Sequence, residues 1–345
     1  MKKEKQALRI GSLSILLAVL VRFICSVGLG DRFELFSVPR LASFLIYTET
    51  GRVVEPTTAT TTAPSPSSTA IQAPEPDLKP DMPERPVLSI PEQKPVFTAE
   101  DMQYLTMQID CRRDPDLEAL LTQPLEWDLR GSEPTILIIH THGTEAYTPT
   151  ADTQYEQYNA EFRTTDDRYN VVSVGDELTR LLEEAGLMVI HDRTAYDEDD
   201  YVDSYDASRA AVQEHLRQHP TIKMVIDVHR DAAEYSSGAQ WAAKGEVDGQ
   251  SAAQIMMVVG TDAMGLSHPN WQTNLSIAEK LTVQMERSYP GMSRNVNLRA
   301  ARFNQDLAMG ALIAEVGAAG NTHAEAIRGV AVLADAIVAL ATGTE

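Results

Sequence analysis

The chain has 345 residues, with 50 acidic against 29 basic side chains and a formal net charge of -21. Such an acidic balance excludes nucleic acid as a partner, because binding a phosphate backbone requires a basic surface. Only two cysteines occur, Cys25 and Cys111, which excludes a disulfide framework and a zinc site made of four thiolates. Any metal site in this chain must therefore use histidine and carboxylate ligands.

The first 30 residues have the composition of a membrane anchor. A basic start precedes a mostly apolar stretch, Ile10–Leu29, in which Arg22 is the one charged residue. By the positive-inside rule, residues 1–30 are predicted to be a cytoplasmic tail and one uncleaved transmembrane signal anchor in the cell membrane, with the rest of the chain extracytoplasmic. A cleaved signal peptide is the alternative, although no clear cleavage site follows the apolar run.

Residues 31–119 are predicted to form an extracytoplasmic linker. A block of threonine, alanine, serine and proline begins after residue 53, and seven further prolines follow between residues 74 and 95. Such a composition cannot bury enough apolar surface to offset the entropy lost on ordering. We expect this segment to be largely disordered and to act as an extended tether.

Residues 120–345 are predicted to form one folded domain. In chain order the predicted elements are strand Thr135–Ile139, helix Val171–Ala185, strand Leu187–Ile190, helix Ser204–Gln218, strand Met224–Val228, strand Ile255–Val259, helix Asn270–Tyr289, strand Ala311–Val316, and a helix that starts at a capping box, Thr322–Glu325, and runs to Ala341. Alternating strands and helices predict a single α/β domain with a mostly parallel sheet flanked by helices.

In sheets of this kind, functional residues collect beyond the carboxyl ends of the strands. One predicted strand leads into His140–Glu145, a second into His229, and the last contains Glu315. Catalytic zinc takes about three histidine or carboxylate ligands and leaves one position for water. His140 and His142 are two residues apart on an extended segment, so both could face one ion, with His229 supplied by another strand. Histidines that are merely hydrogen-bonded at strand ends are the alternative.

Six strings of residues extend this pattern along the predicted domain. They are Ile138–Tyr147, Tyr169–Leu178, Ile226–Ala232, His268–Trp271, Arg302–Leu307 and Glu315–Thr322. In content and order they resemble the stage II sporulation protein P family, and the resemblance covers about residues 135–341. The predicted anchor and linker are also similar to those of that family.

The resemblance implies a fold similar to the zinc-dependent N-acetylmuramoyl-L-alanine amidases. It implies amidase and endopeptidase activity on peptidoglycan, with contacts to its stem peptides and glycan, during engulfment of the forespore. It also implies partners, namely the lytic transglycosylase stage II sporulation protein D and protein M of the same complex. The membrane would be contacted through the N-terminal helix.

The resemblance also implies roles for individual residues. The candidate zinc ligands are His140, His142, His229 and Glu145, with Asp166 and Asp167 as alternatives to Glu145. His142 matches the family's first histidine ligand more closely than His140, which is equally well placed physically, and His229 matches the last. Glu145 is favoured as the acidic ligand because it lies near the histidines in the sequence.

Glu315 matches the catalytic glutamate of those amidases. In that role it would take a proton from water and deliver it to the leaving amine; the alternative is a carboxylate that only caps the following turn. The candidate substrate-binding residues are Arg230, Asp231 and Asn321. An arginine suits bidentate contact with a substrate carboxylate, although a surface salt bridge is an equally good interpretation of Arg230 and Asp231.

Two other functions compete with hydrolysis of peptidoglycan. The first is a catalytically inactive, wall-binding scaffold that keeps the fold and recruits the transglycosylase. The second is a phosphoesterase with two metal ions, which would need several aspartates at other strand ends. Asp192 and Asp262 do not form such a set, so the scaffold is the main alternative.

Overall fold

The computed structural model describes residues 89–91, 94–232 and 239–342, which all lie in one unit of the chain, residues 76–345. The predicted anchor and much of the predicted linker lie outside the described residues. The strands are β1 (Met107–Asp110), β2 (Ile136–Ile139), β3 (Val189–His191), β4 (Met224–Asp231), β5 (Lys244–Val247), β6 (Gln250–Ala253), β7 (Ile255–Gly260), β8 (Val296–Arg299) and β9 (Ala311–Ala318). The α-helices are α1 (Leu117–Thr122), α2 (Val171–Glu184), α3 (Ser204–Gln218), α4 (Trp271–Ser288) and α5 (His323–Ala339). None of these helices combines the length and the apolar composition that a membrane span requires.

Seven of the strands form one sheet in the order β1-β8-β7-β9-β4-β2-β3. Five of its six strand pairs are parallel, and the pair of β7 with β9 is antiparallel. β2 is buried along its whole length and β4 along all but its last residue, as expected for central strands covered on both faces. The predicted α/β fold, with a mostly parallel sheet and flanking helices, is confirmed.

The two faces of the sheet carry separate hydrophobic layers. Ile136 and Ile138 of β2 belong to the larger core, which includes the apolar faces of α2, α4 and α5. Leu137 and Ile139 belong to a smaller cluster with Val212 of α3. This alternation follows from the two-residue repeat of a strand. Because full burial of such a side chain stabilises the fold by about 1.5–3 kcal/mol, both layers hold β2 in place.

Capping residues fix where two of the helices begin. The Asn170 side chain accepts a hydrogen bond from the backbone N–H of Val172 at 2.9 Å, at the start of α2. The predicted capping box of α5 is present, since Thr322 N donates to Glu325 Oε2 at 2.9 Å and Glu325 N donates to Thr322 Oγ1 at 3.2 Å. Such bonds satisfy N–H groups that the first helical turn leaves free.

The folded unit starts earlier than residue 120. Residues Ala99–Tyr104 form a 3-10 helix, β1 pairs in parallel with β8 at the edge of the sheet, and α1 begins at Leu117. These residues lie in the segment predicted to be the linker. β1 has only four residues and is mostly exposed, so its sequence carries no burial pattern that could reveal it.

A hairpin of β5 and β6 was also not predicted. Its two-residue turn is Asp248–Gly249, and both residues have positive φ angles, 52° and 76°. An Asp-Gly pair is a strong signal for such a turn, but the flanking residues do not alternate between apolar and polar. The turn sequence was therefore the one available indication of this hairpin.

β4 and β9 extend beyond their predicted ends, to Asp231 and Ala318. Their polar residues stay in the sheet because His229 pairs directly with Glu315 across the two strands. The register shifts between His229 and Asp231, and Gly317, with a φ of 70°, lies on β9 at this irregularity, where glycine adopts the left-handed conformation without strain. His229 and Glu315 thus lie on strands rather than on loops.

Candidate metal centre

Three neighbouring strands bring the candidate residues to one edge of the sheet. β4 lies between β2 and β9, and the three strands are parallel. The segment after β2 carries His142 and Glu145, β4 carries His229, and β9 carries Glu315. Because the carboxyl ends of parallel strands share an edge, residues that are distant in sequence meet there.

His142, Glu145 and His229 form a compact buried cluster. One potential ligand atom of each lies within 4.8 Å of the others. Glu145 Oε1 lies 3.6 Å from His142 Nδ1, and Glu145 Oε2 lies 3.3 Å from His229 Nδ1. Two imidazoles and one carboxylate are a donor set found in catalytic zinc sites. These three residues therefore fit a zinc ion.

The surroundings of His229 favour a positive charge. Its Nε2 lies 2.9 Å from Asp227 Oδ1, although without the alignment of a hydrogen bond. Burial opposes protonation of the ring, but the carboxylates of Asp227 and Glu145 raise the pKa of His229 well above its ordinary value. The same carboxylates would stabilise a metal cation, and a carboxylate behind a ligating histidine commonly orients the ring.

Glu145 is held in its ionised form. Burial alone would raise the pKa of its carboxyl, but Arg230, His142 and His229 hold that pKa well below its usual range. The backbone N–H of Arg230 donates to Glu145 Oε2 at 3.2 Å, and Arg163 Nη2 lies 3.7 Å from Oε1. The ionised carboxylate is the form that binds a cation.

A turn and a set of polar contacts position Glu145. Its backbone N–H donates to His142 O at 3.1 Å, so the two candidate ligands lie on one turn after β2. Asp197 accepts two hydrogen bonds from the preceding Thr144, at 3.0 Å from the backbone N–H and 2.6 Å from the hydroxyl. Asp197 also pairs with Arg163, which forms a β-bridge with Glu145. The carboxylate of Glu145 is thus fixed in place by its neighbours in the chain.

Glu315 places a second carboxyl beside the cluster, and its pKa is shifted in the direction opposite to that of Glu145. Burial raises the pKa of Glu315 from 4.5 to about 8; the charge of His229 opposes this rise, and the charges of Glu145 and Asp231 add to it. Glu315 Oε2 is buried and has no hydrogen-bond partner. A carboxyl that titrates near neutrality can accept and release a proton in this setting.

The structure places His140 outside the cluster. His140 Nδ1 lies 3.1 Å from Val228 O, and Nε2 lies 2.8 Å from His191 Nε2. Burial, reinforced by His191, lowers the pKa of His140 to about 3, so the ring is neutral and donates from Nδ1 to the carbonyl. His140 thus joins β2 to β3 and β4, and His142 is the histidine of the pair that lies beside His229.

The alternative acidic ligands also lie elsewhere. Asp166 pairs with Arg168 at 2.7 Å, and Asp167 pairs with Arg193 at 3.3 Å. Neither aspartate belongs to the cluster found among the described residues. Glu145 is therefore the acidic candidate that the structure brings beside the two histidines, and its binding of a metal stays a prediction.

Arg230 and Asp231, two of the predicted substrate-binding residues, have different environments. The Arg230 guanidinium is buried and donates to Ala146 O and Phe162 O, at 3.0 Å in each case. It therefore holds the segment after β2 against β4. Asp231 is partly exposed, and its Oδ2 lies 2.8 Å from Arg294 Nη2. Substrate contact by either residue stays a prediction.

Asn321, the third of these residues, is completely buried and makes hydrogen bonds within the protein. Its Oδ1 accepts from the backbone N–H groups of Ala243 and Ala318, at 2.9 Å in each case. Its Nδ2 donates to Ala243 O at 2.9 Å and to Glu325 at 3.1 Å. Asn321 thus ties the end of β9 to the segment before β5, and its contact with substrate stays a prediction.

Sequence reasoning missed several residues that shape the centre. They are Arg163, Asp197, Tyr201, Asp227 and Arg294. Asp227 had a signal, since it is the one polar residue of the predicted strand Met224–Val228 and buried charges are usually paired. Tyr201 stacks on the His142 ring, with centroids 4.5 Å apart, but it lies in an irregular segment before α3. Such a contact arises only when the chain folds.

The fold and the cluster define a class of protein, an α/β domain with a His-Glu-His candidate metal centre at the carboxyl edge of its parallel strands. The family model described as "Stage II sporulation protein P (SpoIIP)" matches residues 68–338. The chain belongs to this family, and the resemblance seen in the sequence strings is confirmed.

Individual relatives cover parts of the chain. Stage II sporulation protein P of Bacillus subtilis (strain 168) is 27% identical over 255 residues, which are 71% of this chain and 58% of that relative. The chain thus spans less than two thirds of the relative's length. Among solved structures, the CwlD amidase from Clostridioides difficile in complex with the GerS lipoprotein aligns with a TM-score of 0.38 and 12% identity, over 59% of this chain and 96% of that one. The N-acetylmuramoyl-L-alanine amidase from Clostridium difficile 630 aligns with a TM-score of 0.36 and 16% identity, over 60% and 94%.

Proposed function

We propose that the chain is a zinc-dependent peptidoglycan hydrolase, which cleaves the amide between N-acetylmuramic acid and L-alanine and also amides within the stem peptide. The observation that carries this proposal is the buried cluster of His142, Glu145 and His229, together with Glu315, which pairs with His229 across β4 and β9 and has an unpaired carboxyl oxygen. Membership of the stage II sporulation protein P family supports a role in sporulation.

His142, Glu145 and His229 would hold the zinc ion. When bound there, zinc supplies Lewis acidity, which polarises an amide carbonyl and makes a water molecule easier to deprotonate. The protein's contribution is to present the ligands in the required form. Asp197 and Arg163 fix Glu145 from one side, and the charges around Glu145 keep its carboxylate ionised.

Glu315 would move the proton. Its unpaired Oε2 can accept a proton from the attacking water as the new carbon–oxygen bond forms. The same oxygen can then donate that proton to the amide nitrogen as the carbon–nitrogen bond breaks, which releases a neutral amine. Burial raises the pKa of Glu315 above its ordinary value, which favours holding the proton until the amine leaves. The low exposure of the surrounding side chains keeps bulk water from competing for the proton.

The proposed cellular setting rests on the sequence. We propose that residues 1–30 anchor the chain in the cell membrane and that the linker gives the hydrolase reach into the wall, with the catalytic residues outside the cytoplasm. Stem peptides and glycan are the proposed substrate. Stage II sporulation proteins D and M are the proposed partners during engulfment.

Purified full chain, sacculi and a chelator test the proposal. The chain should contain about one zinc ion and should release stem peptides that mass spectrometry identifies. The chelator should stop the release, and added zinc should restore it. His142→Ala and His229→Ala should lose both zinc and activity. His219→Ala, which removes a histidine at the end of α3, is the matched control and should keep both.

The outcomes separate the candidate functions. Wild-type chain that binds zinc and sacculi but releases no peptide would favour the scaffold over the hydrolase. Activity that survives complete removal of metal would contradict zinc dependence. Retention of zinc in both histidine variants would show that the cluster is not the metal site.

A further inference from the structure

Arg294 lies at the same edge of the sheet as the metal centre, on the side of β7. Its backbone N–H donates to Ile255 O at 2.7 Å, at the first residue of β7. From there its guanidinium reaches to the end of β4, where Nη2 donates to Asp231 Oδ2 at 2.8 Å. The guanidinium also lies over the ring of Trp241, 4.5 Å from its centroid. Two neighbours therefore hold the group in a fixed orientation.

One donor of this fixed group has no partner. Arg294 Nη1 is buried and makes no hydrogen bond, and no other arginine in the described ranges has a buried nitrogen in this state. A buried donor of a charged group that lacks a partner is costly, because it has lost its hydration without compensation. The unpaired donor therefore points to a ligand that accepts a hydrogen bond from it.

The position of Arg294 links it to the reacting groups. Its ion-pair partner, Asp231, follows His229 by two residues on β4. Ile255, which anchors its backbone, pairs with Val316, the residue after Glu315 on β9. A group that binds Nη1 would therefore lie at the carboxyl edge of β4 and β9, the two strands that carry His229 and Glu315.

Arg230, the arginine nearest to His229 in the sequence, cannot offer the same contact. Its Nε and Nη2 donate to the carbonyls of Ala146 and Phe162, and its Nη1 lies 3.8 Å from Glu145. Its side chain is used in holding the cluster together. Among the described residues at this edge of the sheet, Arg294 is the arginine with an unpaired buried donor.

We propose that Arg294 is a substrate-specificity residue, whose Nη1 binds a carboxylate of the peptide on the amine side of the scissile amide. This inference rests on the proposed function. D-glutamate in a stem peptide is joined through its side-chain carboxyl, so its α-carboxylate is free unless it is amidated, and it lies one residue beyond L-alanine. The carboxylate of Asp231 by itself would repel such an anion, and the guanidinium of Arg294, which pairs with it at 2.8 Å, offsets that repulsion.

Two tripeptides test this assignment, L-alanyl-γ-D-glutamyl-L-lysine and the same compound with the α-carboxyl of the glutamate as a carboxamide. Binding of each to the full chain is measured by calorimetry, which requires no turnover. Wild-type chain should bind the carboxylate about 10- to 100-fold more tightly than the carboxamide, as a charge-assisted hydrogen bond implies. Arg294→Gln should abolish the preference, and Arg294→Lys should keep part of it.

Arg217→Gln is the matched control, since it removes a charge from an exposed arginine that pairs with Glu214 on α3. It should keep the full preference. Because the preference is a ratio of two affinities of one preparation, a partly unfolded variant does not distort it. Equal affinity of wild-type chain for the two tripeptides, absence of binding, or an unchanged preference in Arg294→Gln would overturn the assignment.

The muramoyl forms of both tripeptides separate this inference from the proposed function. If wild-type chain shows the binding preference but cleaves neither muramoyl compound, the hydrolase proposal fails and the role of Arg294 stands. If it cleaves both with the same kcat/KM, the hydrolase stands and the role of Arg294 fails.

Discussion

Replacement of Glu315 by glutamine separates proton transfer from folding and from metal binding. Glutamine has nearly the same size as glutamate but cannot release or accept a proton in the same way. Glu315 pairs with His229 across β4 and β9 but is not one of the three residues of the cluster. We therefore expect Glu315→Gln to keep its zinc and to lose hydrolysis.

The size of both effects follows from the site. A general acid–base residue contributes about 100- to 10,000-fold to a rate, or about 3–5 kcal/mol of activation free energy. Burial raises the pKa of Glu315 from 4.5 to about 8, so its ionisable carboxyl destabilises the metal-free fold by about 3 kcal/mol at neutral pH. The carboxyl destabilises the fold because its pKa is higher in the folded than in the unfolded state. This cost in stability is small in acid and grows as the pH rises towards the folded pKa. The metal-free variant should therefore be no less stable than wild type.

Three measurements check this prediction, namely the initial rate of peptide release from sacculi, the zinc content per chain, and the urea midpoint of the metal-free protein. A variant that keeps more than about a tenth of the wild-type rate would refute the role of Glu315, because loss of a general acid–base residue lowers a rate by about 100-fold or more. A rate loss accompanied by loss of zinc, or by a lower urea midpoint, would show that Glu315 acts on structure instead.

Two further predictions concern stability. The first is Gly175→Ala in helix α2, where alanine is intrinsically favoured over glycine by about 1 kcal/mol. The added Cβ would lie 2.6 Å from His140 Nε2 and 2.7 Å from His191 Nε2, so we expect the clash to dominate and to lower the free energy of unfolding by about 1–3 kcal/mol. A higher free energy of unfolding, measured with urea, would contradict this packing. The second concerns Glu279, which is completely buried without a hydrogen-bond partner, and burial raises its pKa from 4.5 to about 8. Glu279→Gln should therefore stabilise the fold by up to about 4 kcal/mol at a pH near the folded pKa and by little in mild acid. If the urea midpoints of variant and wild type differ by the same amount at these two pH values, an ionisation effect is excluded.

The elements with strong burial patterns were predictable from the sequence. The predicted helix Ser204–Gln218 has the observed bounds, and the helix predicted from Val171 to Ala185 ends one residue earlier, at Glu184. Periodic apolar residues report burial directly, so such elements need no knowledge of their neighbours. β1 lacks this pattern because an exposed edge strand is defined by its partner, β8, rather than by its own sequence.

The candidate site was predictable in part. The order of strands and helices predicted that the segments of His142, His229 and Glu315 would meet, because parallel strands share their carboxyl edge. The two-residue repeat suggested that His140 and His142 face one ion together. That repeat holds only within a strand, and β2 ends at Ile139. The turn that follows places His142 beside Glu145 and leaves His140 with His191.

The sequence by itself determined the α/β alternation, the chemical kinds of ligand available, and the family. The tertiary structure decided which of those ligands lie together, that Arg294 has an unpaired buried donor, and that the pKa values of Glu315 and Glu145 shift in opposite directions. The physical reason is that burial and electrostatic fields depend on neighbours brought in from other segments. Two glutamates with the same chemistry therefore differ because Arg230, His142 and His229 together lower the pKa of Glu145, while burial dominates the pKa of Glu315.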